Sequence, residues 1–454
     1  MVHFLYRIVL WLALPFVIAY HLYRSVSRGR RPAFAERFGA VANDGLAVLG
    51  GDRPILVHAV SVGETIAVKP LLKALKERFP ERRIVVSNVT ETGRSVAERL
   101  SEPDLCVYFP FDYRFAANRF LAALRPAIIL VVETEIWPNF LRAARKKGIP
   151  AVMVNGRISD RSFGRYLRLR WFFSRVLADF SRFCMQTGED ARRIVAMGAP
   201  PDRVDVTRNL KYDLPAASFS AAEKEAIRGD YRISSGVAVA TFGSTHQGED
   251  EAVIAACRRL LAAGNEFVTV LAPRHPERVP QVAELLRREG MPFTLRSQLA
   301  GRPEPLRTGE VLLVDSVGEL LRLYAVSDVV FVGGSLVPTG GHNILEPASL
   351  RVPVLFGPHM SNFREAAALR VPVLFGPFMS NFREAAGLVL RYGGGCQVQD
   401  GEELAGALAA LLRDEPRRRA MGERGAQLME ENSGSTRLHL EVVEELLGGR
   451  HGKA

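Results

Sequence analysis

Short apolar runs alternate with longer stretches of helical spacing through most of the chain. In the first half the runs are Ile55–Val60, Ile84–Asn88, Cys106–Phe109, Ala127–Val132, Ala151–Asn155 and Arg182–Met185. Helical patterns such as Thr65–Phe79 and Gly93–Leu100 lie between them. Near-continuous apolar strands separated by helices predict parallel βαβ units buried on both faces. The pattern pauses at Asp213–Ala221, a Pro/Ser/Ala-rich linker, and resumes with Val237–Phe242, Phe267–Ala272, Val311–Val314, Val329–Val332 and Val352–Phe356. The expected architecture is therefore α/β: two Rossmann-like, doubly wound domains, at 31–212 and 222–454, joined by a linker at 213–221. Ligands are expected at the C-terminal ends of strands, in a cleft between the domains.

The N-terminus breaks this rhythm. Ile8–Tyr20 carries no charge; Arg7 precedes it, and His21, Arg24, Arg28, Arg30 and Arg31 follow. A bilayer span needs about 20 apolar residues. Phe4–Tyr23 reaches that length only if Arg7 and His21 snorkel to the interfaces. Basic residues stand where a signal peptide would have its small-residue cleavage site. Residues 1–30 are thus expected to be an uncleaved membrane anchor, with the body on the cytoplasmic side by the positive-inside rule. A buried core helix is the plainer alternative.

Composition adds little except sign. The chain has 454 residues and a net charge of +11, which suits anionic partners such as phosphates, acidic sugars or lipid headgroups. The four cysteines, Cys106, Cys184, Cys257 and Cys396, are far apart in sequence, so neither a CxxC motif nor a disulfide framework is expected. Leu350–Ala367 and Leu369–Ala386 are near-identical copies that differ only at His359 and Phe378. Two such copies indicate either a recent tandem duplication or an artefact of the sequence. A sheet has one place for the strand they encode, so the spare copy should be dispensable.

Candidate chemistry sits at strand ends. In HAVSVGE, Ser61, Gly63 and Glu64 fall in a strand-to-helix turn. Glu64 reads as a plain first-turn carboxylate or as a general base for an incoming hydroxyl. Glu133 and Glu135 follow another strand. They suit a metal pair, or one of them caps the helix begun by Pro138; no His or Cys nearby completes a metal site. Gly243, Ser244 and Thr245, with His246 beside them, suit a phosphate turn. Arg274 and His275 stand where a guanidinium would clamp a phosphate. The glycine-rich loop after Val332 leads to His342, Asn343 and Glu346 on one helical turn. Arg161–Arg182 interleaves arginines with Tyr166, Trp171, Phe172 and Phe173, as for an anionic membrane surface, nucleic acid, or a solvated helix with a buried aromatic face.

Taken together, HAVSVGE, ETEIWPN, NGRISDRS, NLKYD, GSTHQGEDE, PRHPER, VGELLRLYAVSDVVFVGGSLVPTGGHNILEP and PVLFGPHMSNFREA resemble the 3-deoxy-D-manno-octulosonic acid (Kdo) transferases of lipopolysaccharide synthesis. The resemblance covers nearly the whole chain in the family's order. It implies a GT-B glycosyltransferase, with residues 31–212 binding acceptor and 222–454 binding donor. It further implies CMP-Kdo as donor, the lipid A precursor (lipid IVA) as acceptor, and metal-independent, inverting transfer at the inner membrane. No cofactor and no nucleic acid are expected. By the same resemblance Glu64 is the catalytic base. Pro273 and Arg274, then Val317, Gly318 and Glu319, then Asn343, Ile344, Leu345 and Glu346 bind CMP. Ser61, Gly63, Glu133, Glu135, Lys211, Ser244 and His246 are expected near donor or acceptor. The family has one PVLFGPH…NFRE segment where this chain has two. Rival readings are a non-catalytic, membrane-anchored binder of anionic lipid or nucleic acid, and a GT-B transferase using another nucleotide sugar.

Overall fold

The computed structural model describes residues 2–27, 33–213, 219–359 and 383–448. They form two compact units, Met1–Asp213 with Asn432–Ala454, and Leu214–Glu431. The first unit holds β1 (Ile55–His58), β2 (Ile84–Asn88), β3 (Leu105–Tyr108), β4 (Ile128–Val132), β5 (Ala151–Gly156), β6 (Arg182–Met185) and β7 (Val204–Val206). They make one parallel sheet in the order β3-β2-β1-β4-β5-β6-β7. The second unit holds β8 (Ala238–Thr245), β9 (Phe267–Pro273), β10 (Phe293–Leu295), β11 (Val311–Leu313), β12 (Val329–Val332), β13 (Val354–Phe356) and β14 (Gly395–Gln397), in the parallel order β10-β11-β9-β8-β12-β13-β14.

Successive strand residues feed opposite layers, as the two-residue repeat of a strand requires. In β1, Leu56 packs with Phe109, Phe120 and Phe140, whereas Ile55 and Val57 pack with Leu71, Leu72 and Leu75 on the other face. Both faces are thus covered, which is why these strands read as unbroken apolar runs. The strands absent from the sequence reading, β7, β10 and β14, are three-residue edge strands with one neighbour each. Their side chains are mostly half-buried, so their apolar signal is weak. The helix expected at Thr65–Phe79 is two, Val62–Ala67 and Lys69–Arg78, because Pro70 sits in the first turn of the second and has no N–H to continue the first.

The second domain does not run to the C-terminus as expected. The final helix, Ser435–Gly448, packs on the first unit. Val442, Val443 and Leu447 join the layer of Ile55 and Val57. His439 is fully buried, and its Nε2 accepts the Asn155 N–H at 2.9 Å. Asp213 accepts the backbone N–H groups of Gly434 and Thr436. Of the expected linker, residues 214–218 lie outside the described residues; Ser220 caps the helix Ala221–Asp230 through a reciprocal box with Glu223.

The N-terminal helix spans Val2–Ser27, and its segment Tyr6–Tyr23 is long and apolar enough to cross a membrane. One side of it lies against the first unit. Tyr6 donates to Asp112 Oδ2 at 2.9 Å, the Tyr113 hydroxyl donates to the Leu10 carbonyl at 2.7 Å, and His21 packs on Phe34 and Phe111. On other positions Phe4, Leu12, Phe16 and Tyr20 are exposed. A cavity of about 360 Å³ at this junction is lined by Arg7, Trp11, Tyr113, Arg114, Phe115 and Asn139, among others. Arg28, Arg30 and Arg31 lie outside the described residues. The Arg/aromatic stretch forms two helices, Asp160–Arg168 and Arg170–Leu177. Tyr166, Phe172 and Phe173 pack on the core, while Arg165, Arg168, Arg170, Trp171 and Arg175 are exposed.

Each copy of the duplicated segment contributes one described element. Strand β13 comes from the first copy. The helix Arg383–Tyr392 starts in the tail of the second. Residues 360–382, between them, lie outside the described residues.

Candidate functional site

In the first unit β1 ends at His58 and the helix Val62–Ala67 begins four residues later, with Ser61 as its N-cap. Gly63 lies in its first turn. Glu64 folds back over this turn: Oε2 accepts the Val60 N–H at 2.7 Å, and the Ser61 hydroxyl donates to Oε1 at 3.1 Å. The side chain is 3% exposed. Burial pushes its carboxyl well above the ordinary range, and the charges of Glu133 and Glu135 push the same way, against the bonds from Val60 and Ser61. So the first-turn carboxylate and the candidate base are one residue, held in one orientation.

Glu133 and Glu135 follow β4 and are both buried. Glu133 adopts φ of 58°, a left-handed conformation that costs a non-glycine residue energy and reverses the chain at the strand end. Burial, then the neighbouring Glu133 charge, raises Glu135 to about 8. The expected capping role is corrected: the helix Pro138–Lys146 receives no cap from either glutamate. Asp112 does this instead, accepting Asn139 N–H at 3.0 Å and Phe140 N–H at 2.7 Å. The three glutamates form an acidic, buried group, in which the carboxyls of Glu64 and Glu135 are raised. Among the described residues, no three His, Cys, Asp or Glu side chains are placed to hold a metal ion. Lys211 lies in the short turn Leu210–Tyr212, which the Asn155 side chain fixes by accepting the Leu210 N–H at 3.0 Å.

The second unit gathers loops of the opposite character. At the end of β8, Ser244 has φ of 57°, and the Gly333 backbone lies against it; a Cβ at Gly333 would stand 2.5 Å from the Ser244 carbonyl oxygen. Glu249, fully buried, ties these loops together. Its Oε2 accepts the N–H of His246 at 2.9 Å and of Gly334 at 2.6 Å, and its Oε1 those of Ser335 at 2.9 Å and Leu336 at 2.8 Å. Ser335 in turn accepts the Gly357 N–H on its hydroxyl, which docks the first copy of the duplicate on the glycine loop. His246 and His342 meet through their Nε2 atoms at 2.8 Å.

Pro273 ends β9 and is buried, whereas Arg274 is exposed, its N–H bound to the Thr245 carbonyl. Asn343 donates to Glu346 Oε1 at 3.1 Å and accepts the Leu345 N–H. Burial raises the Glu346 carboxyl, with the Asn343 bond opposing. Ile344 and Leu345 point into the core, leaving only backbone to offer a ligand. Val317 is 83% exposed and Gly318 has φ of 91°. Burial would raise the Glu319 carboxyl, but bonds from Ser316, Tyr231 and Arg296 outweigh it and hold it below the usual range. The candidate donor residues thus divide into Ser244, His246, Arg274 and the His342–Glu346 segment around the glycine loop, and Val317–Glu319 on the loop after β11. Glu249 and Ser335 were not among the expected site residues, and His342, expected on one helical turn with Asn343 and Glu346, instead precedes the helix, which begins at Leu345. Glu249 had a legible signal, an acid three residues after His246 at a helix start, the spacing of a capping box. The histidine pair had none.

Two consecutive parallel-sheet units, one with a buried acidic group and one with cationic glycine loops at its strand ends, define a GT-B glycosyltransferase. A glycosyltransferase from Rickettsia africae shares this fold, with a TM-score of 0.52 at 13% identity over 87% of this chain and 99% of its own. The family described as 3-Deoxy-D-manno-octulosonic-acid transferase (kdotransferase) matches residues 32–214. The chain is 32% identical to the 3-deoxy-D-manno-octulosonic acid transferase of Haemophilus influenzae over 98% of each chain. It is 34% identical to that of Bordetella pertussis over 92% of each. The chain belongs to the Kdo transferase family and is a glycosyltransferase of Kdo in lipopolysaccharide synthesis.

Proposed function

We propose that this enzyme moves Kdo from CMP-Kdo to a hydroxyl of the lipid A precursor, with Glu64 as general base and inversion at the anomeric carbon. The observation that carries the reading is the Glu64 carboxylate: buried, fixed by Val60 and Ser61, and raised in proton affinity by burial and two acidic neighbours. A base acts best when its proton affinity lies near the working pH. The acceptor hydroxyl loses its proton to Glu64 as its oxygen attacks the anomeric carbon. The bond to CMP breaks on the opposite side, and CMP leaves as a phosphate that needs no acid to expel it. Charge growing on that phosphate is matched by the Arg274 guanidinium. With the phosphate served in this way, the step runs without a metal ion.

The outward apolar face of the N-terminal helix, with exposed Trp171, Arg168 and Arg170, supports association with an anionic inner-membrane surface. The test is Glu64→Gln, assayed with CMP-Kdo and tetra-acylated precursor by product mass. Turnover should fall by about 10²–10⁴-fold, while CMP affinity stays within about tenfold, because a base acts in the transition state and not on the bound nucleotide. Unimpaired turnover would remove Glu64 from this role.

A further inference from the structure

The pairing of His246 with His342 belongs to no part of the reaction described so far. The two Nε2 atoms are 2.8 Å apart, and the rings are nearly parallel, at 11°. Such a contact needs one proton between two nitrogens: one ring donates and the other accepts. Two neutral rings satisfy it. So does one imidazolium beside one neutral ring, because the imidazolium still donates. Two imidazoliums would set N–H against N–H. The pair therefore accepts one proton without losing its contact, and no more.

We propose that His246 and His342 act as a single proton-accepting unit that takes up one proton when the donor's phosphodiester enters the strand-end loops, so that the anion meets an imidazolium as well as Arg274. This rests on the donor reading above.

The backbone of His246 is held in place. Glu249 binds the His246 N–H and the Gly334 N–H on the same oxygen. Gly334 leaves room for the His342 ring, since a Cβ there would stand 3.1 Å from Cδ2 and 3.2 Å from Nε2. Charged and titratable groups face the pair from two elements. The end of β9 and the turn after it bring Arg274, His275 and Arg278. The His275 ring lies 5.8 Å from that of His246. Arg278 is paired with Asp250 and donates to the Thr245 carbonyl. The helix start brings Glu249, whose charge is taken up by four backbone N–H groups.

With no anion, this corner repels a proton. Burial first, then Arg274, His246 and His275, push the His342 imidazole down to about 3. Burial also lowers His246; Glu249 opposes this, and His275, Arg278 and Arg274 reinforce it. A phosphodiester brings a negative charge among these cations. One unit charge about 4 Å away, partly screened, changes the proton affinity of a ring roughly a thousandfold. Unlike an arginine, the pair carries its positive charge only while the anion is bound, so the empty site is spared one more like charge beside Arg274.

The test is titration calorimetry on the full chain in detergent. The probe is the methyl ester of cytidine 5′-phosphate, a phosphodiester without the second phosphate ionisation near pH 6 that would confuse the count. Binding is measured in two buffers of different ionisation heat. At pH 7 the wild type should take up between about half and one proton per site, and affinity should fall by up to about tenfold per pH unit above that. His246→Asn and His342→Asn should each abolish the uptake and flatten the pH dependence, so that variants and wild type converge at high pH. Binding by the wild type with equal heat in both buffers overturns the inference and leaves the donor reading standing. Uptake that persists in both variants assigns the proton to His275 and also overturns it. No binding of the probe by the wild type overturns the donor reading, and the inference with it.

Discussion

The strand ends of the two units differ in sign although their sheets share one plan. In the first unit, Glu64, Glu133 and Glu135 are buried, and burial with the charge of acidic neighbours drives up the carboxyls of Glu64 and Glu135. In the second, most acids have firm partners: Glu249 takes four N–H groups, Glu319 has Tyr231 and Arg296, and Asp250 has Arg278, while Glu346, raised by burial, has Asn343. That leaves Arg274 and the imidazoles as the groups offered outward. One topology thus carries a buried acidic group in one place and exposed cationic groups in another. The difference lies in which carboxylates are given partners.

After the Glu64 exchange, Arg274→Ala should have the largest effect. Loss of a charge-assisted bond worth about 1.5–3 kcal/mol lowers CMP affinity roughly ten- to hundredfold. CMP binding that is unchanged would show that backbone N–H groups alone carry the anion. Next comes a pair of substitutions with opposite signs. The folded carboxyl of Glu135 is raised, so folding binds an extra proton, and its stability contribution is lost as pH rises from about 4.3 through about 8. Glu135→Gln should therefore raise the melting temperature at pH 8 by roughly 4 °C or more, and hardly at all at pH 4. It should also move the acid limb of kcat/KM to lower pH, since Glu64 loses a negative neighbour. Glu319 is depressed, so its contribution is present above the unfolded value and lost as pH falls. Glu319→Gln should destabilise at pH 7 and become neutral toward pH 3. Equal signs for the two variants would end the contrast.

The smallest effect is expected from removing Met360–Phe378. This joins His359 to Met379 and keeps both the strand and the helix that are used. A shorter connection changes closure entropy by only about 0.6 kcal/mol per halving, so the melting temperature should not fall. A clear drop would give the removed residues a packed place of their own.

The sequence was most legible where a residue's signal is local. β2 and β6 match their apolar runs to the residue, because both faces of each are covered. The Ser61–Glu64 turn announces itself through cap chemistry. What remained hidden depends on long-range placement. His246 and His342 are 96 residues apart. The helix Ser435–Gly448 returns to the first unit through His439, which meets Asn155 from 284 positions away. Nor does periodicity show that Asp112, not a glutamate of the ETE segment, supplies the cap at Asn139 and Phe140.

The split use of the duplicate has a further consequence. The residues that pair β13 with β12, Val354, Leu355 and Phe356, recur as Val373, Leu374 and Phe375, and Gly357 recurs as Gly376. The chain carries two keys for one lock. A connection of nearly the same length lies after the first key or before the second, so closure hardly favours either. The His359 N–H bonds the Ser335 carbonyl at 2.9 Å. What separates the two keys is a single side chain, His359 against Phe378.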